Sequence, residues 1–118
     1  MASTVQILDG PTIAQGESLS DAIDCSAGRV ARITMPAGWD GADLTFQIST
    51  DGQFFNDLWR PDGTEYVVKT AAGRAIIINQ QEWLPGMFLK FRSGHSDQPR
   101  AQSAERVFAI ALLVEEAT

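Results

Sequence analysis

One cysteine and one histidine are all that this 118-residue chain holds of the side chains that build most metal sites and nucleophile–base pairs. Cys25 has no partner within the chain, so an internal disulfide is excluded. Its expected place is the core, where free cysteine behaves as a small hydrophobe, with a functional thiol as the alternative. A zinc site would need mostly carboxylates, an uncommon donor set. No apolar run approaches the roughly 20 residues that span a bilayer. The opening MASTVQILDGPTIAQG lacks the basic flank and apolar stretch of a secretory signal, which fits synthesis in a reducing cytoplasm. No useful window repeats at the helical period, and there is no low-complexity segment, internal repeat or Gly-rich phosphate cradle.

Lysine is scarce as well. Only Lys69 and Lys90 accompany seven arginines, against 15 acids and a formal net charge of −6. Ahead of Arg60, eight acids face only Arg29 and Arg32, so the whole excess lies in the first half. An acidic chain with no basic stripe repels phosphate backbones, so nucleic acid is not an expected partner, and neither is a membrane. The preference for arginine suits bidentate contacts at protein interfaces, and equally a GC-rich coding bias.

What is present is turn chemistry between short apolar runs. From Ala37 to Tyr66 the chain reads AGWDGADLTFQISTDGQFFNDLWRPDGTEY. Leu44, Phe46 and Ile48 alternate with Asp43, Thr45, Gln47 and Ser49, the period of two of a half-buried strand. Asp51-Gly52 is the sequence of a tight hairpin with positive φ angles, and Pro61-Asp62-Gly63 of a second reversal. Similar signals recur at Asp9-Gly10-Pro11, Gly28, Pro36-Ala37-Gly38, Gly73, Pro85-Gly86 and Gly94. The runs between them predict strands at 4–8, 19–25, 29–35, 43–49, 54–60, 65–69, 74–79, 87–93 and 106–115.

The expected fold is therefore all-β: one antiparallel, jelly-roll-like β-sandwich of eight or nine short strands filling residues 1–118. Residues 1–11 form an N-terminal arm or an edge strand, pairing in their own sheet or reaching a neighbouring subunit. The last strand is apolar on both faces: Phe108, Ile110, Leu112 and Val114 alternate with Val107, Ala109, Ala111 and Leu113. Such a strand is either central and covered on its second face, or lies against another chain.

No catalytic constellation emerges, and no enzyme activity or cofactor is expected. Ser93, His95 and Asp97 are near neighbours on one Gly/Ser/Pro-rich loop, where they cannot assemble a triad; His95 reads as a solvated loop residue. Asp51, Asp57 and Asp62 could gather at one end of a sandwich around calcium, but they do not follow the spacing of a calcium loop. The aromatics carry more promise. Trp39 and Trp59 stand at strand ends, where each either plugs the core or offers a platform to a ligand; the plug is expected for both. Trp83, Leu84, Met87 and Phe88 cluster around Pro85-Gly86 as a compact apolar loop, an interface patch or part of the core.

Four stretches carry a family resemblance: Ser18–Ala22 (SLSDA), Met35–Trp39 (MPAGW), Phe46–Gly52 (FQISTDG) and Lys90–Gly94 (KFRSG). In this order, and over most of the chain from residue 12 onward, the sequence resembles small virion proteins of tailed bacteriophages, of the head decoration (cement) type. The resemblance implies a structural protein on the outer capsid surface, made in the host cytoplasm, that bridges neighbouring major capsid subunits as a homo-oligomer, dimer or trimer. Its expected contact residues are Val5 and Ile7 in the arm, Trp83, Leu84, Met87 and Phe88 in the apolar loop, and His95 and Arg100 in the loop 95–100.

The hairpin with Ser49-Thr50-Asp51-Gly52 is also similar to galactose-binding-like, discoidin-type sandwiches. That likeness implies the alternative function, a carbohydrate- or receptor-binding module of a phage tail or bacterial surface protein. Trp39, Asn56 and Trp59 are then the expected ligand platform.

Overall fold

The computed structural model describes residues 3–79 and 88–115. Nine strands occur among them: β1 (Ser3–Ile13), β2 (Ile23–Asp24), β3 (Arg29–Thr34), β4 (Leu44–Ser49), β5 (Asn56–Asp57), β6 (Ala75–Ile77), β7 (Phe88–His95), β8 (Gln98–Pro99) and β9 (Arg106–Glu115). They form two antiparallel sheets, ordered β1-β9-β3-β6 and β2-β7-β4-β5, with β8 hairpinned onto β7. With β8 set aside, the strands renumber to 1-8-3-6 and 2-7-4-5. Every sheet then alternates early and late strands, the double Greek-key winding of a jelly roll. The expected class of fold is the one observed.

Alternation made β4 legible and also explains its packing. In β4, Leu44 and Phe46 are fully buried; Phe46 lies opposite the buried Phe91 of β7, and Ile48 opposite the buried Leu89. From the opposite sheet come Val30 and Ile33 of β3 and Phe108, Ile110 and Leu112 of β9. A chain of edge-to-face rings crosses the core: Trp39 to Phe108 at 5.5 Å, Phe108 to Phe91 at 5.0 Å, Phe91 to Phe46 at 5.1 Å and Phe46 to Tyr66 at 5.8 Å. Such pairs add about 0.5–1.5 kcal/mol each beyond their buried area. Cys25 is fully buried, and burial together with the neighbouring Asp24 carboxylate pushes its thiol up to about 12.

Several boundaries differ from expectation for physical reasons. The Gly10-Pro11 break does not end β1. The strand passes through it with a register shift between Asp9 and Thr12, and Gly10 takes φ 118°. The segment 19–25 keeps only Ile23–Asp24 as strand, because Ser20 turns its hydroxyl inward to accept the Phe91 amide at 2.8 Å and replaces a ladder bond. Asp51-Gly52 does not form a two-residue hairpin. Only Gly52 has positive φ, and the Asp51 carboxylate accepts the amides of Gln53 and Phe54, building a longer loop from Thr50 to Phe55. The predicted strand at 65–69 survives as single bridges, Trp59 to Glu65 and Leu44 to Val68. The loop 95–100 is a hairpin, with His95 opposite Gln98 and Gly94 opposite Pro99.

Candidate functional site: the outer face of the first sheet

The register of β1, β9, β3 and β6 places one row of side chains across all four strands: Ile7, Ala111, Arg32 and Ile77. Parallel rows hold Val5, Leu113 and Arg29 on one side, and Asp9, Ala109, Thr34 and Ala75 on the other, followed by Thr12 and Val107. The intervening rows, such as Leu8, Ile110, Ile33 and Ile76, point into the core. The first set thus forms the outer face. Val5 is 62% exposed, Ile7 56%, Ile77 85% and Val107 47%. Four large aliphatic side chains therefore stand in solvent around the small Ala109 and Ala111 of the central strand. Arg29 and Arg32 add a positive strip beside them on an otherwise acidic chain.

This face answers the question raised by the two-sided last strand. β9 is central, as one expectation had it, but no described element covers its outer side. β1 pairs with β9 inside its own sheet rather than leaving it, and it is the edge strand of that sheet. Val5 and Ile7 accordingly lie on the face. The reading of the sequence missed Ile77 and Val107 as surface groups. Three consecutive isoleucines at 76–78 were the available signal, since a strand must turn at least one of them outward.

The remaining expected contacts sit elsewhere. Trp83, Leu84 and Met87 lie outside the described residues. Phe88 begins β7 opposite Ser49 and Asp24, half-buried, and its ring packs at Gly52. It is a sheet residue, not part of a free loop. His95 and Arg100 line a shallow groove of about 360 Å³ with Ala42, Asp43, Gln98 and Pro99. His95 Nε2 is 3.0 Å from Asp43 Oδ2, which the Lys69 ammonium also reaches at 3.0 Å. Partial burial opposes ionisation of Asp43, but the hydrogen bonds from His95 and Lys69 outweigh it and hold its carboxyl below the ordinary value. Arg100 donates to the Gly41 carbonyl at 2.6 Å.

The expected ligand platform comes apart. Trp39 is buried at 5% exposure against Phe108, with its indole N–H donating to the Ala42 carbonyl at 3.1 Å. It plugs the core and offers no stacking surface. Trp59 is 53% exposed, so the expected plug is corrected there: its strand end pairs with Glu65 at the sheet edge, beyond the reach of the core. Asn56 is exposed in β5, and Phe54 nearby in the chain is 76% exposed.

Two polar clusters beneath these surfaces were invisible to pattern reading. Arg92 on β7 is buried and ion-paired with both Asp57 and Glu65, while Glu65 also accepts the Ser96 amide at 3.1 Å. The Arg92 hydrogen bond is the main reason the Asp57 carboxyl lies below its ordinary value. On the other flank, Gln102, 1% exposed, accepts from the Asp40 amide and Arg106 Nε and donates to Ser93 Oγ and the Asp40 carbonyl. All of its amide capacity is used. Asp51 and Asp62 spend their carboxylates on their own turns. Among the described residues, no three acids, histidines or cysteines gather as a metal site.

Compared with protein-family models, curated proteins and solved structures, the chain finds no match in any of the three.

Proposed function

We propose that this protein is a structural virion component that decorates a tailed-phage capsid and stabilises it by bridging neighbouring major capsid subunits. One observation carries the reading: the uncovered aliphatic outer face of the β1-β9-β3-β6 sheet. A face of that kind on a rigid sandwich suits protein docking better than chemistry on a small molecule. Burying four half- to fully exposed Val and Ile side chains contributes about 1–2 kcal/mol each before the cost of association. Many equivalent sites on one shell turn such ordinary contacts into a large total gain. The four stretches behind the phage resemblance support the reading only through the fold. Ser20 fixes β7, Trp39 closes the core, Ser49 and Asp51 build the turn, and Arg92 is a buried cation.

Imaging purified protein mixed with expanded, undecorated heads of the phage that encodes it tests the proposal. Saturable density at local symmetry axes is expected; bare heads at saturating protein would overturn it.

A second reading has its own observation. The exposed Trp59, with Asn56 and Phe54 in the same chain segment, supports a carbohydrate- or receptor-binding surface on the other sheet. Quenching or a blue shift of Trp59 fluorescence on titration with glycans is its sign, and Trp39 contributes nothing to it.

A further inference from the structure

Sheet edges invite added strands unless they are short, charged, bulged or covered. Three of the four ordered edges here are short: β6 has three residues, and β2 and β5 two each. The fourth is β1, and its two halves differ. Near its end, Thr12 is covered, because its amide donates to Asp21 Oδ1 at 2.8 Å and its carbonyl accepts the Asp21 amide at 3.1 Å. From Ser3 to Asp9 nothing comparable exists among the described residues. Every residue of that run is exposed except the half-buried Leu8, and only Asp9 is charged. The bulge at Gly10-Pro11 comes just after it.

We infer that Ser3–Asp9 pairs antiparallel with the same segment of a second copy of this chain, about a two-fold axis through Gln6. The sequence fits that axis on both faces. Centring on Gln6 uses all seven residues ahead of the bulge. It sets Val5 against Ile7 of the second copy, and Ile7 against its Val5, on the outer face. β-branched side chains directly opposite one another are among the favourable cross-strand pairs. Thr4 meets Leu8 and Gln6 meets Gln6 on the other face. Asp9 falls opposite Ser3, so the two carboxylates lie at opposite ends and no like charges meet. A seven-residue antiparallel pair of this kind adds about six to eight backbone hydrogen bonds. Because the axis is perpendicular to the sheet, both outer faces end on the same side. The product is an eight-stranded sheet with the rows through Ile7 and Val5 continuous across the join.

This isologous contact belongs to the isolated chain and does not rest on head binding. It deepens that proposal by giving one particle two docking faces, so that it can grip two capsid subunits.

Sedimentation velocity from about 1 µM to 1 mM reads the association directly. Wild-type protein is expected to pass from monomer to dimer across this range. Gln6→Lys brings two ammonium groups together at the axis and is expected to weaken the dimer about tenfold. Gln6→Cys is expected to give a covalent dimer on mild oxidation, whereas Gln53→Cys, exposed on a distant loop, is not. Gln6 is exposed in the monomer, and unchanged circular dichroism and melting temperature show that each variant is folded. The proposal stands only if all three results hold. A monomer at every concentration overturns it, as does a dimer indifferent to Gln6→Lys or one that Gln6→Cys fails to capture. Loss of head binding with the dimer intact would overturn the capsid reading alone.

Discussion

Arg92 and Glu65 form an ion pair at 3.3 Å in which both side chains are more than nine-tenths buried. A pair so placed is weak evidence of stability gained over an apolar alternative, but breaking it on one side is costly. Arg92→Ala strands the Glu65 carboxylate in the interior and releases Asp57. The expected cost is about 3–5 kcal/mol, read as a lower denaturant midpoint. Glu65→Gln is milder, because Asp57 still neutralises the guanidinium and the Ser96 amide keeps an acceptor.

The acid limit of stability follows from this cluster and from the His95–Asp43–Lys69 contact. Asp57 and Asp43 both titrate below their ordinary value of 3.8 in the folded chain. In the unfolded chain they take up protons at higher pH than in the folded one. Their contribution is therefore complete above 3.8 and disappears as pH falls through their lower folded values. Urea titrations from pH 5 downwards are expected to show this fall, and Asp57→Asn to flatten it. A wild-type stability unchanged down to pH 2 would contradict the assigned hydrogen bonds.

Cys25 combines full burial with a thiol pushed up to about 12. Thiolate is the reactive form, so the native protein is expected to resist a disulfide reagent such as DTNB at pH 8. One equivalent is expected to react once the chain is unfolded in guanidinium. Rapid native labelling would mean that Cys25 is not where the core places it.

Gly94, where β7 passes from pairing with β4 to pairing with β8, takes φ 90°, and a Cβ there would lie 2.6 Å from the Gln98 carbonyl oxygen. Backbone, not a flexible side chain, is in the way. Gly94→Ala is expected to cost about 2–3 kcal/mol by chemical denaturation and to splay the 95–98 hairpin. The His95–Asp43 contact should be lost with it, visible as a changed imidazole chemical shift.

How much of this was legible in the sequence depends on the element. β4 could be read because one face had to be apolar, and alternation records that directly. β3, with a bulge between Val30 and Arg32, and the two-sided β9 are legible instead as apolar runs between turn signals. The two-sided pattern of β9 raised the question of what lies on its second face, although not which neighbours share that face. Ile77 joined it only through the register of β6 with β3, a pairing that no local pattern encodes. Trp39 and Trp59 look alike in sequence, each a tryptophan at a strand end. One faces Phe108 and the other solvent, because that choice is made by the opposite sheet. Gln102 and Arg92 are polar residues whose burial no local pattern marks. Their burial depends on partners up to 62 residues away, which composition cannot supply.

The central claim is that the outer face of the β1-β9-β3-β6 sheet docks onto a capsid, and Ile77→Asp tests it most directly. Ile77 is 85% exposed, so the substitution should change fold stability by no more than about 0.5 kcal/mol. Occupancy of undecorated, expanded heads would be measured for the wild type and for this variant at matched concentrations. The account predicts saturable decoration by the wild type and at least about tenfold weaker binding by Ile77→Asp. Equal decoration by the two proteins, or none by either, would contradict it.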